Sequence, residues 1–304
     1  MRERSPRARA AVATVTAAVL AVLAGCSGAD GGPAVPGGSS AGSGARSGPS
    51  WDRHPDSVAS LGDSITRGFD ACSVLVDCPK VSWSTGSSPE VDSLALRLLG
   101  KDKVADNSWN YARSGAKADD LPRQMERAAK REPALVTILI GANDACRGSV
   151  DAMTSVSSYR SDVERALRTL RRESPKTQVY VGSVPDLKRL WSEGRTNPLG
   201  KQVWKLGLCA SMLSHPDSLD AGASERRDDV RDRVRAYNEA LRDVCAKDSL
   251  CRYDGGAGFA YRFSGKQLSH WDWFHPNTNG QARLAEIAYR TVTAKHAPAD
   301  ATGG

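Results

Sequence analysis

The chain has 304 residues, 40% of them hydrophobic and 25% charged, with seven cysteines and a formal net charge of +7. Four Arg and one Glu in residues 1–26 account for +3 of that charge. The +4 that remains is scattered among acids with no aromatic-interleaved basic stripe, which argues against a nucleic-acid partner.

The N-terminus reads as a targeting segment. Arg2, Arg4, Arg7 and Arg9 form a positive region, and residues 10–23 are apolar but too short and Ala-rich to span a membrane stably. The stretch ends in Leu23-Ala24-Gly25-Cys26, which resembles a bacterial lipobox. That resemblance implies cleavage before Cys26, a lipid on its sulfur and anchoring to the membrane face of an exported protein; plain secretion is the alternative. Residues 27–50 are almost wholly Gly, Ser, Ala and Pro and read as a flexible tether. The folded domain is expected over 51–296, with a short disordered tail at 297–304.

Within the domain, residues 58–61 read as a buried strand running into Gly62-Asp63-Ser64. A loop with Cys72, Cys78 and Trp83 follows, then a helix over 90–99 and a weak strand over 104–111. Asp119, Asp120 and Pro122 open a helix that runs to about Arg131. Residues 134–140 are continuous in apolar and β-branched side chains, as in a strand covered on both faces. Helices at 157–172, 224–245 and 277–293, and strands at 178–182 and 250–253, complete the alternation. The pattern predicts a three-layer α/β/α sandwich around a parallel sheet. Residues 186–223 break it: they read as an irregular insertion rich in Leu and Trp, either a binding wall or a satellite core under Cys209.

With Cys26 set aside, six cysteines remain, an even number that suggests disulfides in an exported protein. Cys72–Cys78 and Cys245–Cys251 would each close a small loop, which leaves Cys146–Cys209. No Cys-x-x-Cys pair or histidine cluster supports a metal site, and none is expected. His54, His215, His270 and His296 read as surface residues.

Four short blocks lie at or just past strand ends. They are Gly62-Asp63-Ser64, Asn110-Tyr-Ala-Arg-Ser-Gly115, Gly141-Ala-Asn143-Asp144 and Asp272-Trp-Phe-His275-Pro276. Gly-Asp-Ser alone is ordinary turn chemistry. All four in order resemble the SGNH (GDSL-type) hydrolases, whose flavodoxin-like fold the resemblance implies. Gly-x-Ser-x-Gly, the nucleophile elbow of the α/β-hydrolases, is absent around Ser64.

The chemistry fits the residue types. A serine hydroxyl needs a base to become nucleophilic, and His275 offers an imidazole. Asp272 can hold the other ring nitrogen, although some esterases of this type use a backbone carbonyl there. By resemblance, the backbone N–H groups of Ser64 and Gly115 and the Asn143 amide would form the oxyanion hole, with no cofactor.

Three stretches resemble the phospholipase B-like GDSL branch in particular: Val81-Ser-Trp-Ser-Thr-Gly86, residues 113–124 and Leu139-Ile-Gly141-Ala-Asn-Asp-Ala-Cys146. They imply an acyl-ester substrate, a phospholipid or lysophospholipid among them; separately, a monomer is expected. A carbohydrate acetyl esterase with the same triad is the second reading, and a ligand-binding surface lipoprotein the third. Trp271, Trp273, Phe274 and the apolar insertion suit an acyl chain or simple core packing equally.

Overall fold

The computed structural model describes residues 50–299. The leader with Cys26, the tether up to residue 49 and the tail from residue 300 lie outside the described residues.

Five strands, β1 (Val58–Gly62), β2 (Ser108–Asn110), β3 (Leu135–Leu139), β4 (Gln178–Val181) and β5 (Cys251–Tyr253), form one parallel sheet in the order β2-β1-β3-β4-β5. Every residue of β1, β3 and β4 is buried, because helices cover both sheet faces. Register pairs Ser60 with Thr137 and Thr137 with Tyr180, so these three share one face. That face is closed by a polar seam: Ser60 Oγ meets Thr85 Oγ1 at 3.2 Å, Thr137 Oγ1 meets Ser84 Oγ at 2.7 Å, and the Trp83 ring stands edge-on to Tyr180. The Thr278–Thr293 helix packs over β4 and β5 and against the Leu94–Leu99 helix. Leu121–Ala129, Val156–Glu173 and Ala221–Cys245 pack in series as the other layer, the first of them on β1. The result is a three-layer α/β/α sandwich.

Two local expectations shift. Residues 104–107 form a helical turn, and only Ser108–Asn110 pairs as strand, since Asp106 and Asn107 disfavour extended pairing. The helix expected from residue 90 starts at Leu94, where the Ser93 hydroxyl accepts from Leu96 N at 3.1 Å.

The 186–223 insertion is not irregular. It folds into three short helices, Leu187–Gly194, Pro198–Trp204 and Ala210–Leu213. Asp186 and Asn197 cap the first two, and Pro198 occupies a first-turn position. Its Leu190, Trp191, Trp204, Met212 and Leu213 join the main core instead of forming a satellite. Arg227, fully buried, organises the next turn: it donates to Ser218 O at 2.8 Å and His215 O at 2.7 Å while its guanidinium lies 4.1 Å over Trp191.

Cys72–Cys78, Cys146–Cys209 and Cys245–Cys251 are disulfides. The second spans 63 residues and pins the insertion to the loop after β3, which is the largest loop constraint of the three. Three disulfides point to an oxidising, extracytoplasmic compartment. Among the described residues, no helix is long and apolar enough to cross a membrane.

Gly62 ends β1 at φ +146°, where a Cβ would sit 2.3 Å from Leu139 O and 2.7 Å from Thr66 Oγ1. Gly62→Ala is expected to lower stability by about 2–4 kcal/mol, read as an earlier urea midpoint at unchanged slope.

Candidate active site

In a parallel sheet of this order the strand sequence reverses beside β1, and ligands bind in the crevice at the carboxyl ends of the strands there. Ser64 lies two residues past β1 and Asn143 four past β3, on either side of that crevice. Ser64 opens a one-turn helix, Ser64–Arg67, capped by Asp63, whose Oδ1 accepts from Ile65 N at 2.9 Å. Gly68, in the left-handed region, ends it.

Two buried glutamines hold this turn. Gln124, on the Leu121–Ala129 helix, accepts from Gly62 N at 2.8 Å and donates to Gly62 O at 3.0 Å. Gln281, on the Thr278–Thr293 helix, donates to Ile65 O at 2.8 Å and accepts from Trp83 N at 2.9 Å.

His275 arrives from a folded-back loop in which Ser269 N donates to His275 O at 2.8 Å and Trp273 N to Ser269 O at 2.8 Å. Asp272 braces it. Oδ1 accepts from the backbone N–H groups of Phe274 and His275, both at 2.9 Å, and Oδ2 faces His275 Nδ1 at 2.5 Å. An ionised carboxylate only accepts, so Nδ1 carries the proton and Nε2 is left as an acceptor. Nε2 lies 2.9 Å from Ser64 Oγ. The edges of Phe69 and Phe274 flank the imidazole at 5.1 and 5.7 Å between ring centroids.

A cavity of about 230 Å³ opens over Ser64, His275 and Asn143. Its apolar wall is made by Leu187, Leu190 and Leu208 of the insertion together with Phe274, beside the Cys146–Cys209 bridge. Asn143 donates its amide to Ala116 O at 3.0 Å. That bond joins it to the loop of Gly115, which is exposed with φ +80° and has open space where a Cβ would be.

The GDSL-like Lipase/Acylhydrolase family model matches residues 60–283. The chain belongs to that family. Over 179 residues it is 26% identical to the membrane-associated phospholipase B1 of Rattus norvegicus, and over 168 residues 25% identical to that of Mus musculus. These alignments take in 46% and 44% of this chain but 12% and 11% of the two relatives, so the chain spans only a small part of their length. Among solved structures it is similar to an extracellular lipase from Streptomyces rimosus (16% identical, 78% of this chain and 99% of that one, TM-score 0.44). It is also similar to a family two carbohydrate esterase from Clostridium thermocellum (13% identical, 79% and 63%, TM-score 0.46).

Burial shapes the electrostatics of this GDSL site. It pushes Asp63 up to about 7 against the bond from Ile65 N, and Asp144 up to about 6. Burial alone would pull the His275 imidazole down, but the Asp272 carboxylate and its hydrogen bond, with Asp70 and Asp63, outweigh it and raise its proton affinity. Burial also opposes the Asp272 charge, yet His275 and the two backbone N–H groups hold that carboxyl below its usual range. Asp70, Asp272 and His275 each bring an oxygen or ring nitrogen to within 4.8 Å of the others, a spacing a cation could bridge. Nδ1 and Oδ2 are already bonded to each other, so a proton joins them here.

Motif and spacing do not mark Gln281 or Asp70, and they give Gln124 and Trp204 no individual role. Trp204, in the insertion, donates its indole N–H to Asp272 O at 2.7 Å. No local pattern marks such partners; only the Gln281 position, six residues past His275 on the following helix, hints at proximity.

Gln281→Leu strands two buried backbone groups and is expected to cost about 2–4 kcal/mol of stability, measured by urea unfolding, with a parallel loss of ester turnover. Asp63 tests linkage. Its folded proton affinity exceeds that of the unfolded chain, so the wild type loses stability as pH rises from about 4 to about 7. Asp63→Asn keeps the acceptor for Ile65 N without the charge. Its melting temperature should exceed that of the wild type by a margin that widens across that window and levels off above it.

Proposed function

We propose that the protein is a serine esterase that cleaves acyl esters, lipids among them, through Ser64, His275 and Asp272. One observation carries the reading: Ser64 Oγ, His275 and the Asp272 carboxylate stand in one hydrogen-bonded row, 2.9 and 2.5 Å between partners, at the floor of an apolar-walled cavity. As an ester carbonyl docks over Ser64, Nε2 takes the hydroxyl proton while Oγ bonds to the carbonyl carbon. Asp272 stabilises the imidazolium across Nδ1. The oxyanion that forms is received by Asn143 and the backbone N–H groups of Ser64 and Gly115. Collapse expels the alcohol, which leaves with the proton from Nε2, and the acyl group stays on Oγ. Water then repeats the sequence, giving its proton to Nε2 and releasing the acid and free Ser64.

The cavity wall supports a substrate with an acyl chain rather than an acetyl group: Leu187, Leu190, Leu208 and Phe274 offer a chain several methylenes to cover, each worth about 0.8 kcal/mol when buried. The resemblance of residues 81–86, 113–124 and 139–146 to the phospholipase B-like branch supports the same choice. The leader and tether support export and anchoring through a lipid on Cys26, with the domain free to reach ester substrates near the membrane face; we take the protein as a monomer.

Ser64→Ala is expected to lower hydrolysis of nitrophenyl butyrate by at least about 10³-fold with an unchanged circular dichroism spectrum. Retained turnover in that variant would sink the nucleophile assignment. A nitrophenyl ester series from two to twelve carbons, with a phosphatidylcholine included, tests the substrate: kcat/KM should rise beyond acetate, and a maximum at two carbons would favour carbohydrate deacetylation instead.

A further inference from the structure

Asp70 is a buried carboxyl that the reaction above does not use. It follows the Ser64–Arg67 helix with φ +56°, a conformation non-glycine residues seldom adopt, and is only 2% exposed. Three bonds hold it there: its N–H donates to Val76 O at 3.1 Å, its carbonyl accepts from Ser269 Oγ at 2.7 Å, and Oδ1 accepts from Leu75 N. The other oxygen, Oδ2, is sealed from solvent with no hydrogen-bond partner in the protein. A purely structural turn residue would need only Oδ1. This carboxyl instead reaches Asp272 and His275, each of the three within 4.8 Å of the others.

Two carboxylates so close and so buried do not both ionise freely. Asp272 accepts three hydrogen bonds, one from an imidazole, and keeps its charge. Asp70 accepts one, and burial together with the Asp272 charge moves it up to about 6. His275 and Asp272 lie on its own side, and Asp63 acts on His275 from the Ser64 turn. On the helix that precedes Asp70, Arg67 is paired with Asp77 at 3.1 Å.

We propose that Asp70 is a positioning residue for hydrolysis: a second carboxyl behind Asp272 whose ionisation sets the proton affinity of His275. It rests on the reading of His275 as the base. Below its own ionisation Asp70 is a neutral acid, and Asp272 alone acts on the imidazole. Above it, a second negative charge faces the ring and holds its proton to higher pH. The low-pH limb of turnover then belongs to the Asp70–His275 unit rather than to one histidine.

Asp70→Asn tests this, because the amide keeps an oxygen for Leu75 N and cannot ionise. The primary readout is the titration of the His275 ring by NMR on histidine-labelled protein, with the signal assigned by His275→Gln. The midpoint should fall by about one pH unit, a tenfold change in proton affinity. The acid limb of kcat/KM for a nitrophenyl ester should move down with it. An unmoved midpoint in folded Asp70→Asn would reduce Asp70 to a turn holder and overturn the proposal. If that variant does not fold, Asp70→Ser is titrated the same way, with the same outcomes expected and excluded. The NMR midpoint is read whether or not the protein cleaves esters. A shifted midpoint without hydrolysis in the wild type would therefore condemn the functional reading and leave the electrostatic one standing.

Discussion

The turn at Gly62-Asp63-Ser64 is gripped from both faces of the sheet, and the rest of the site depends on that grip. Gln124 reaches it from the helical layer over β1 and closes both backbone groups of Gly62. Gln281 reaches it from the opposite layer and holds Ile65 O while it accepts from Trp83 N. A side chain at residue 62 would collide with Leu139 O, so only glycine fits where β1 ends against β3. The Ser64 hydroxyl is therefore placed by contacts 62, 77 and 216 residues apart in sequence rather than by its own short helix. An unpaired buried amide costs about 1–3 kcal/mol, so each glutamine makes the correct packing of its layer a condition for the turn.

Around this turn the protein buries four acids, and burial does not treat them alike. Asp63, Asp70 and Asp144 each accept one backbone N–H and leave one oxygen without a partner, and all three are pushed upward. Asp272 accepts three bonds and is held low. Donor number alone does not explain the contrast. Asp254 accepts from Ser183 N, Ser183 Oγ, Gly256 N and Gly258 N, and its proton affinity still rises. What Asp272 has and Asp254 lacks is an imidazole that can take a positive charge. The acid that keeps its charge at the site is thus selected by its neighbour, which is the condition a charge-stabilising partner of a base must meet.

Strand ends were legible because they are local. An apolar run that stops at Gly-Asp-Ser, or at Gly-Ala-Asn, announces a covered strand delivering polar groups to an edge, and β1, β3 and β4 lie within a residue or two of where pattern puts them. The closeness of Ser64, Asp272 and His275 in sequence blocks was legible too, by likeness to a family rather than by spacing. Residues 104–107 misled because Val104 and Ala105 read as apolar strand while Asp106 and Asn107 favour a turn. The insertion misled because its helices are short and its Gly and Pro residues look like loop chemistry. Gly194 and Gly200 are there for packing instead: a Cβ at Gly194 would strike Trp273 O and the Trp204 ring, and one at Gly200 the Trp273 side chain. Asp70 and Gln281 leave no trace in the linear pattern, and Gln124 only as the end of the 113–124 stretch, since a long-range hydrogen bond imposes no periodicity on either partner.

The insertion also links the cavity wall to the loop that carries His275. Its leucines wall the cavity, while its Trp204 indole bonds the backbone carbonyl of Asp272, and its glycines admit Trp273, which sits at φ +54° between Asp272 and Phe274. A left-handed tryptophan persists only where packing over-determines it, and here the insertion supplies that packing. The same segment is fastened to the loop of Asn143 by the Cys146–Cys209 bridge and by Ser211, whose hydroxyl donates to Ala145 O at 2.7 Å. Whatever presses on the cavity wall therefore bears on both sides of the site at once, on the Asp272–His275 loop and on the Asn143 turn. On the proposed reading, a variant that reshapes the wall to change acyl preference acts on a surface that also holds His275, so changes in specificity and in turnover would be mechanically coupled.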